Sequence, residues 1–62
     1  MKVYEKRENQ TALTDGIWVI WVDNDDVDKC LQAGSFEKFF GVRDVEDFIR
    51  HEFGDPEGFR YC

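Results

Sequence analysis

The chain has 62 residues and a mass of 7.4 kDa, which is enough for one small domain, residues 1–62, and leaves no room for a second core. Fourteen Asp and Glu against eight Lys and Arg give a net charge of −6, which argues against direct binding to nucleic acid or to an anionic membrane surface. No apolar run approaches the roughly 20 residues that span a bilayer, and the first residues lack the apolar stretch of a signal peptide. We therefore expect a cytoplasmic protein.

The first third of the sequence predicts an antiparallel sheet. Residues 2–8 mix apolar and charged side chains, a composition typical of an edge strand. Asp15-Gly16 precedes the apolar run 17–22, and Asp-Gly between apolar segments predicts a tight β-hairpin whose turn positions both tolerate positive φ. The run 17–22 is apolar on both faces, with Trp18 on one and Trp21 on the other. Because a single layer of helices covers one face, we expect one of these tryptophans to face solvent or a partner.

The middle of the sequence predicts three short helices. The first follows the acidic run 23–26 and ends at Gly34, and the second is capped by Ser35 and ends at Gly41. Asp44 caps the third. Its apolar stripe at helical spacing consists of Val45, Phe48, Ile49 and Phe53.

The C-terminal residues add a turn at 55–58, and 59–62 are compatible with a returning strand. The expected fold is α+β: a small antiparallel sheet with a hairpin about Asp15-Gly16, packed on one face by two or three short α-helices.

No motif indicates an enzyme, a metal site or a cofactor. Counting an EF-hand loop from Asp23 places Asp28 at the glycine position and Gly34 at the glutamate position, so calcium ligation is not expected. Cys30 and Cys62 are too far apart for a paired motif, and we interpret them as free, reduced thiols. A small metal- or thiol-dependent enzyme subunit remains a lesser alternative.

Acidic residues concentrate in two segments. Residues 11–34 carry five acids against one lysine, and 44–62 carry six against two arginines. Carboxylates on neighbouring helix positions stand about 5–6 Å apart, the same order as the ~3.4 Å axial spacing of phosphates along one DNA strand. The acids have two interpretations: helix caps in a solvated corner, or a face that binds a basic partner. The candidates for such a face are Asp23, Asp25, Asp26, Asp28, Glu46 and Asp47.

Ten aromatic residues make it doubtful that every one is buried. The phenylalanine turn at 36–40 fits either the core or an exposed ridge. Because interfaces favour Trp and Phe as anchors, the candidate apolar contacts for a partner are Trp18, Trp21 and Phe36.

In its small size, acidity, single domain and lack of a catalytic motif, the chain resembles the small acidic inhibitors that bacteriophages encode against host defence, the anti-CRISPR and anti-restriction proteins. The resemblance is one of type and carries no diagnostic motif. It implies a protein of the host-cell cytoplasm that binds a CRISPR effector or another host-defence nuclease, and blocks its basic nucleic-acid-binding surface by DNA mimicry. The alternative is a small homodimeric adaptor or antitoxin-like module that pairs through its apolar strand, with the acids serving solubility.

Overall fold

A computed structural model describes residues 1–54 and 59 of the chain. Three strands form one antiparallel sheet in the order β1-β2-β3, followed by a 3-10 turn and three short helices, which confirms the expected α+β fold. The elements are β1 Lys2–Lys6, β2 Gln10–Thr14, β3 Val19–Asp23, the 3-10 turn Asn24–Asp26, α1 Val27–Ala33, α2 Phe36–Phe40 and α3 Val45–Phe53. The predicted turn at 55–58 and, apart from Phe59, the returning strand lie outside the described residues. No helix within residues 1–54 is both long and apolar enough to cross a membrane.

Strand β1 lies at one edge of the sheet, as predicted, and all five of its residues are exposed. It joins β2 through a short hairpin that closes where the Arg7 N–H donates to the Gln10 carbonyl at 2.8 Å. The pairing shifts register at Tyr4, since Val3 pairs with Leu13 but Glu5 pairs with Ala12. This bulge interrupts the regular edge of β1.

The second hairpin, between β2 and β3, is confirmed, but its predicted two-residue turn is wrong. Thr14 pairs with Val19, so the loop contains four residues and β3 begins at Val19 rather than at residue 17. The carboxylate of Asp15 accepts from the N–H groups of Ile17 and Trp18, each at 3.0 Å. Side-chain acceptance of this kind satisfies loop amides without a primed turn, and within residues 15–18 only Gly16 has positive φ, at 99°.

The core lies between one face of the sheet and the helices. Side chains alternate along the strands, so Leu13 and Ile20 face the helices, while Trp21 lies on the opposite face. Strands β2 and β3 and the helices α1, α2 and α3 contribute to the buried cluster or to the partly buried side chains packed against it, whereas β1 and the 3-10 turn do not. The buried members of the cluster are Leu13, Trp18, Ile20, Val22, Cys30, Phe36, Val45 and Ile49.

The helices begin and end at the residues that the sequence indicates. The Ser35 hydroxyl accepts from the Lys38 N–H at 3.3 Å, and the Asp44 carboxylate accepts from the Asp47 N–H at 3.1 Å. Helices α1 and α2 end at Gly34 and Gly41, whose φ values are 82° and 69°. Both glycines therefore take the left-handed conformation of a helix C-terminus.

Candidate acidic partner-binding surface

Four aspartates surround the junction of β3, the 3-10 turn and α1, and we call them the acidic corner: Asp23, Asp25, Asp26 and Asp28. Asp23, Asp25 and Asp28 are exposed, and Asp26 is partly buried. Asp23 and Asp26 occupy N-cap positions, yet neither side chain accepts a capping hydrogen bond. The interpretation of these two acids as hydrogen-bonding caps is therefore wrong.

Among the described residues, the carboxylates of the acidic corner make no ion pair with a Lys or Arg side chain. In the described part of the chain, no Lys or Arg nitrogen lies within 4.0 Å of any of the four, whereas Glu5 is paired with Arg7 at 3.5 Å. An exposed, unpaired carboxylate keeps its capacity to bind a cationic group of another molecule. The corner is thus available for an intermolecular ion pair.

Asn24 holds the acidic corner against the first hairpin. Its side-chain oxygen accepts from the Thr11 hydroxyl at 2.8 Å, and its amide group donates to the Glu8 carbonyl at 2.9 Å. Its backbone N–H donates to the Asn9 carbonyl at 3.3 Å. Asn24 was not among the predicted site residues; the available signal was one Asn in a run of Asp, since an amide side chain both donates and accepts, whereas an ionised carboxylate only accepts.

The loop between β1 and β2 adds Glu8, a carboxylate that was not among the predicted site residues, to this part of the surface. Asp23 and Asp25 line a polar depression of about 340 Å³ together with Glu8, Asn9 and Asn24. Asp28 lines a neighbouring depression of about 270 Å³ that also contains Lys6 and Arg7. Glu8, Asp23 and Asp25 thus share one depression without a lining cation, whereas Lys6 and Arg7 border Asp28.

The two predicted acids of α3 belong to a different part of the surface. Asp47 lines a groove of about 600 Å³ with Phe48, His51 and Glu52, among others. This groove shares no lining residue with either depression at the acidic corner. Glu46, also in the first turn of α3, is partly buried. The six predicted acids thus do not line a single shared pocket.

Two of the three predicted apolar contacts are buried in the core. Trp18 is 5% exposed and Phe36 is 0% exposed, so the proposal of these residues as partner contacts is corrected. The Asp15 loop brings Trp18 to the helix side of the sheet, and the Phe36 ring stacks on Phe40 with a centroid distance of 6.0 Å. Trp21 is only half-buried, on the opposite face.

Cys30 lacks the properties of a nucleophile. It is fully buried, and its thiol donates to the Met1 sulfur at 3.3 Å. The pKa of the thiol is raised to about 11, chiefly by burial and then by the nearby Asp15 carboxylate. The amino terminus of the chain opposes this shift, and Asp26 adds a smaller increase. At neutral pH the thiol is therefore protonated. Within residues 1–54 and 59, no three His, Cys, Asp or Glu side chains are grouped as a metal ion requires.

No protein-family model, curated protein or solved structure matches this chain. The resemblance to phage inhibitors stays a prediction from size and charge. Function is therefore inferred from the charge and geometry of the described residues.

Proposed function

We propose that this protein is a protein-binding inhibitor that blocks the basic nucleic-acid-binding surface of a CRISPR effector or another host-defence nuclease. The contact surface consists of the acidic corner and Glu8. The observation that supports it best is that Asp23 and Asp25 are exposed and have no described cationic partner. Both line one depression together with a third carboxylate, Glu8. Lys and Arg of a target can pair with such groups without first breaking an internal ion pair.

The anchoring of the acidic corner also favours binding. Asn24 fixes the 3-10 turn to Thr11 on β2 and to the loop carbonyls of Glu8 and Asn9. A turn held in this way loses little conformational entropy when it binds. Side-chain anions at fixed positions are the feature required to replace phosphates in a basic groove, and opposed potentials speed the encounter.

The test compares two pairs of charge-neutralising substitutions. Asp23→Asn/Asp25→Asn changes the acidic corner, and the control Glu37→Gln/Glu52→Gln changes exposed acids on α2 and α3; each pair moves the net charge from −6 to −4. Inhibition of DNA binding and cleavage is measured with a panel of purified CRISPR effectors and restriction nucleases.

The wild-type protein is expected to inhibit a member of the panel and to be displaced by duplex DNA. The corner pair should weaken inhibition by about tenfold or more, because each lost ion pair contributes of the order of 1 kcal/mol or more. The control pair should inhibit like wild type, and added salt should weaken wild-type binding. Equal inhibition by both variant pairs, or no inhibition across the panel, contradicts the proposal.

A further inference from the structure

The residue that precedes β1 ties this strand to the core. All five residues of β1 are exposed, and none of them belongs to the buried cluster. Met1, immediately before the strand, is partly buried and packs against that cluster. Its Sδ accepts from the thiol of Cys30 at 3.3 Å, and Cys30 is a fully buried residue of α1. The Met1 side chain thus connects the start of β1 to a helix 29 positions later in the chain.

The two sulfur atoms of this contact differ in how readily a peroxide can oxidise them. The reactivity of a thiol follows its thiolate character and its exposure, and Cys30 is both protonated at neutral pH and 0% exposed. A thioether reacts without losing a proton, and Met1 is partly exposed. Met1 is also the only methionine of the chain. Of the two sulfurs, a peroxide in solution therefore meets Met1 first.

We propose that Met1 is a redox-sensitive switch: hydrogen peroxide converts its thioether to a sulfoxide, and the oxidised side chain releases the start of β1 from α1. In this step a sulfur lone pair forms the S–O bond, the O–O bond breaks, and the second oxygen leaves as water. Sulfur loses two electrons and the peroxide gains them. In the reverse step two thiols of a reductase are oxidised to a disulfide, and the sulfoxide oxygen leaves as water.

The surroundings of the Met1 sulfur favour the thioether over the sulfoxide. The sulfoxide is polar, whereas the thioether packs against apolar side chains. A 3.3 Å contact has no space for an oxygen atom between the two sulfurs. The Cys30 thiol is also a weak donor, so a sulfoxide oxygen held beside it would lose the hydrogen bonds that water provides. The oxygen regains them when the side chain leaves the cluster. Since Met1 adjoins Lys2, the first residue paired with β2, the strand is then released from its first residue onward.

The test uses the Cys62→Ser chain, in which Cys30 is the only thiol, before and after treatment with hydrogen peroxide. Mass spectrometry of its peptides should place one added oxygen on Met1 and none on Cys30. Protected amides of Lys2–Lys6 should then exchange about tenfold faster or more, and by a larger factor than those of Val19–Asp23. Methionine sulfoxide reductase with dithiothreitol should restore the original exchange rates.

The matched control carries norleucine at position 1, which keeps the length of the side chain and replaces the sulfur by a methylene group. Peroxide should leave the amide exchange of this chain unchanged. A second variant, Cys30→Ala, gives the sulfoxide oxygen the space of the thiol, so the acceleration in β1 should become smaller. Oxidation of Cys30 in place of Met1, unchanged exchange in β1 after Met1 is oxidised, or equal acceleration in either variant overturns the proposal. None of these measurements depends on the proposed inhibition.

Discussion

The guanidinium carbon of Arg7 lies 4.0 Å from the centroid of the Trp21 ring, on the sheet face opposite the helices. The same guanidinium pairs with Glu5 at 3.5 Å. Arg7 thus covers part of an indole that the helices do not reach. In a larger protein, a second layer of helices or strands would pack on this face of the sheet. Here the Arg7 guanidinium provides part of that contact with the Trp21 ring.

Removal of this cation is expected to expose the indole. Arg7→Ala should lower the free energy of unfolding by about 0.5–1 kcal/mol, the range for exposed cation–π contacts. Tryptophan emission should shift to longer wavelength because Trp21 gains water contact. Urea unfolding followed by fluorescence measures both effects. Lys6→Ala, the same charge change one residue earlier, should stay within about 0.5 kcal/mol of wild type. Equal losses in the two variants would show that the stacking is not stabilising.

Asn24 and Thr11 are expected to be energetically coupled. Thr11 is 4% exposed, so Asn24→Ala leaves its buried hydroxyl without its acceptor and should cost about 1–3 kcal/mol of stability. Adding Thr11→Val removes that hydroxyl, so the double variant should be more stable than the sum of the single losses indicates. Chemical denaturation of all four proteins gives the coupling energy. Additive losses would mean that the hydrogen bond between them contributes nothing.

Two N-cap aspartates should differ in their contribution to stability. Asp44 accepts from the Asp47 N–H, whereas the side chain of Asp23 makes no cap bond. Asp44→Ala should therefore cost about 1 kcal/mol, and Asp23→Ala less than about 0.5 kcal/mol. Asp44→Asn, which keeps an acceptor oxygen and loses the charge, should recover most of the loss. Thermal unfolding measures the series; an Asn variant as unstable as the Ala variant would assign the effect to charge rather than to the hydrogen bond.

The buried thiol should make stability depend on alkaline pH. Burial first, with Asp15 and Asp26 adding to it, raises the Cys30 pKa from 9.0 to about 11. Between those values the folded chain keeps a proton that the unfolded chain loses, so the free energy of unfolding should fall as pH rises from 9 towards 11. Urea unfolding of wild type and Cys30→Ala isolates this contribution, because all other groups titrate in both. Parallel pH profiles would contradict it.

The elements that the sequence predicted correctly depend on local signals. Asp44 caps α3 through an amide three residues away, and Gly34 and Gly41 end their helices by their own backbone conformation. Such interactions involve neighbouring residues, so their pattern is visible along the chain. The edge position of β1 was also predictable, because its charges are unsuitable for burial.

The features that the sequence did not reveal depend on contacts between distant segments. Trp18 and Trp21 alternate in a run that is apolar on both faces, and only packing against the helices decides which is buried. Asn24 bonds to Thr11 and to the Glu8 carbonyl, which lie 13 and 16 positions earlier in the chain. Glu8 lies beside the acidic corner only because of the register of two hairpins. The four-residue loop depends on Asp15 accepting two amides, a choice that the Asp-Gly pair alone does not specify.

The glycines that end α1 and α2 are required for handedness rather than for space. Apart from its neighbours along the chain, a Cβ at Gly34 or Gly41 would meet no described atom within 4 Å, yet both backbones have positive φ. The surroundings therefore have space for a larger side chain. An L-residue with a branched Cβ is nevertheless disfavoured, because its chirality favours a right-handed backbone and the backbone at these positions is left-handed. The lengths of these two helices are consequently specified by stereochemistry at single achiral residues, and asparagine, the L-residue that best tolerates this conformation, is the replacement that evolution or design can use there at least cost.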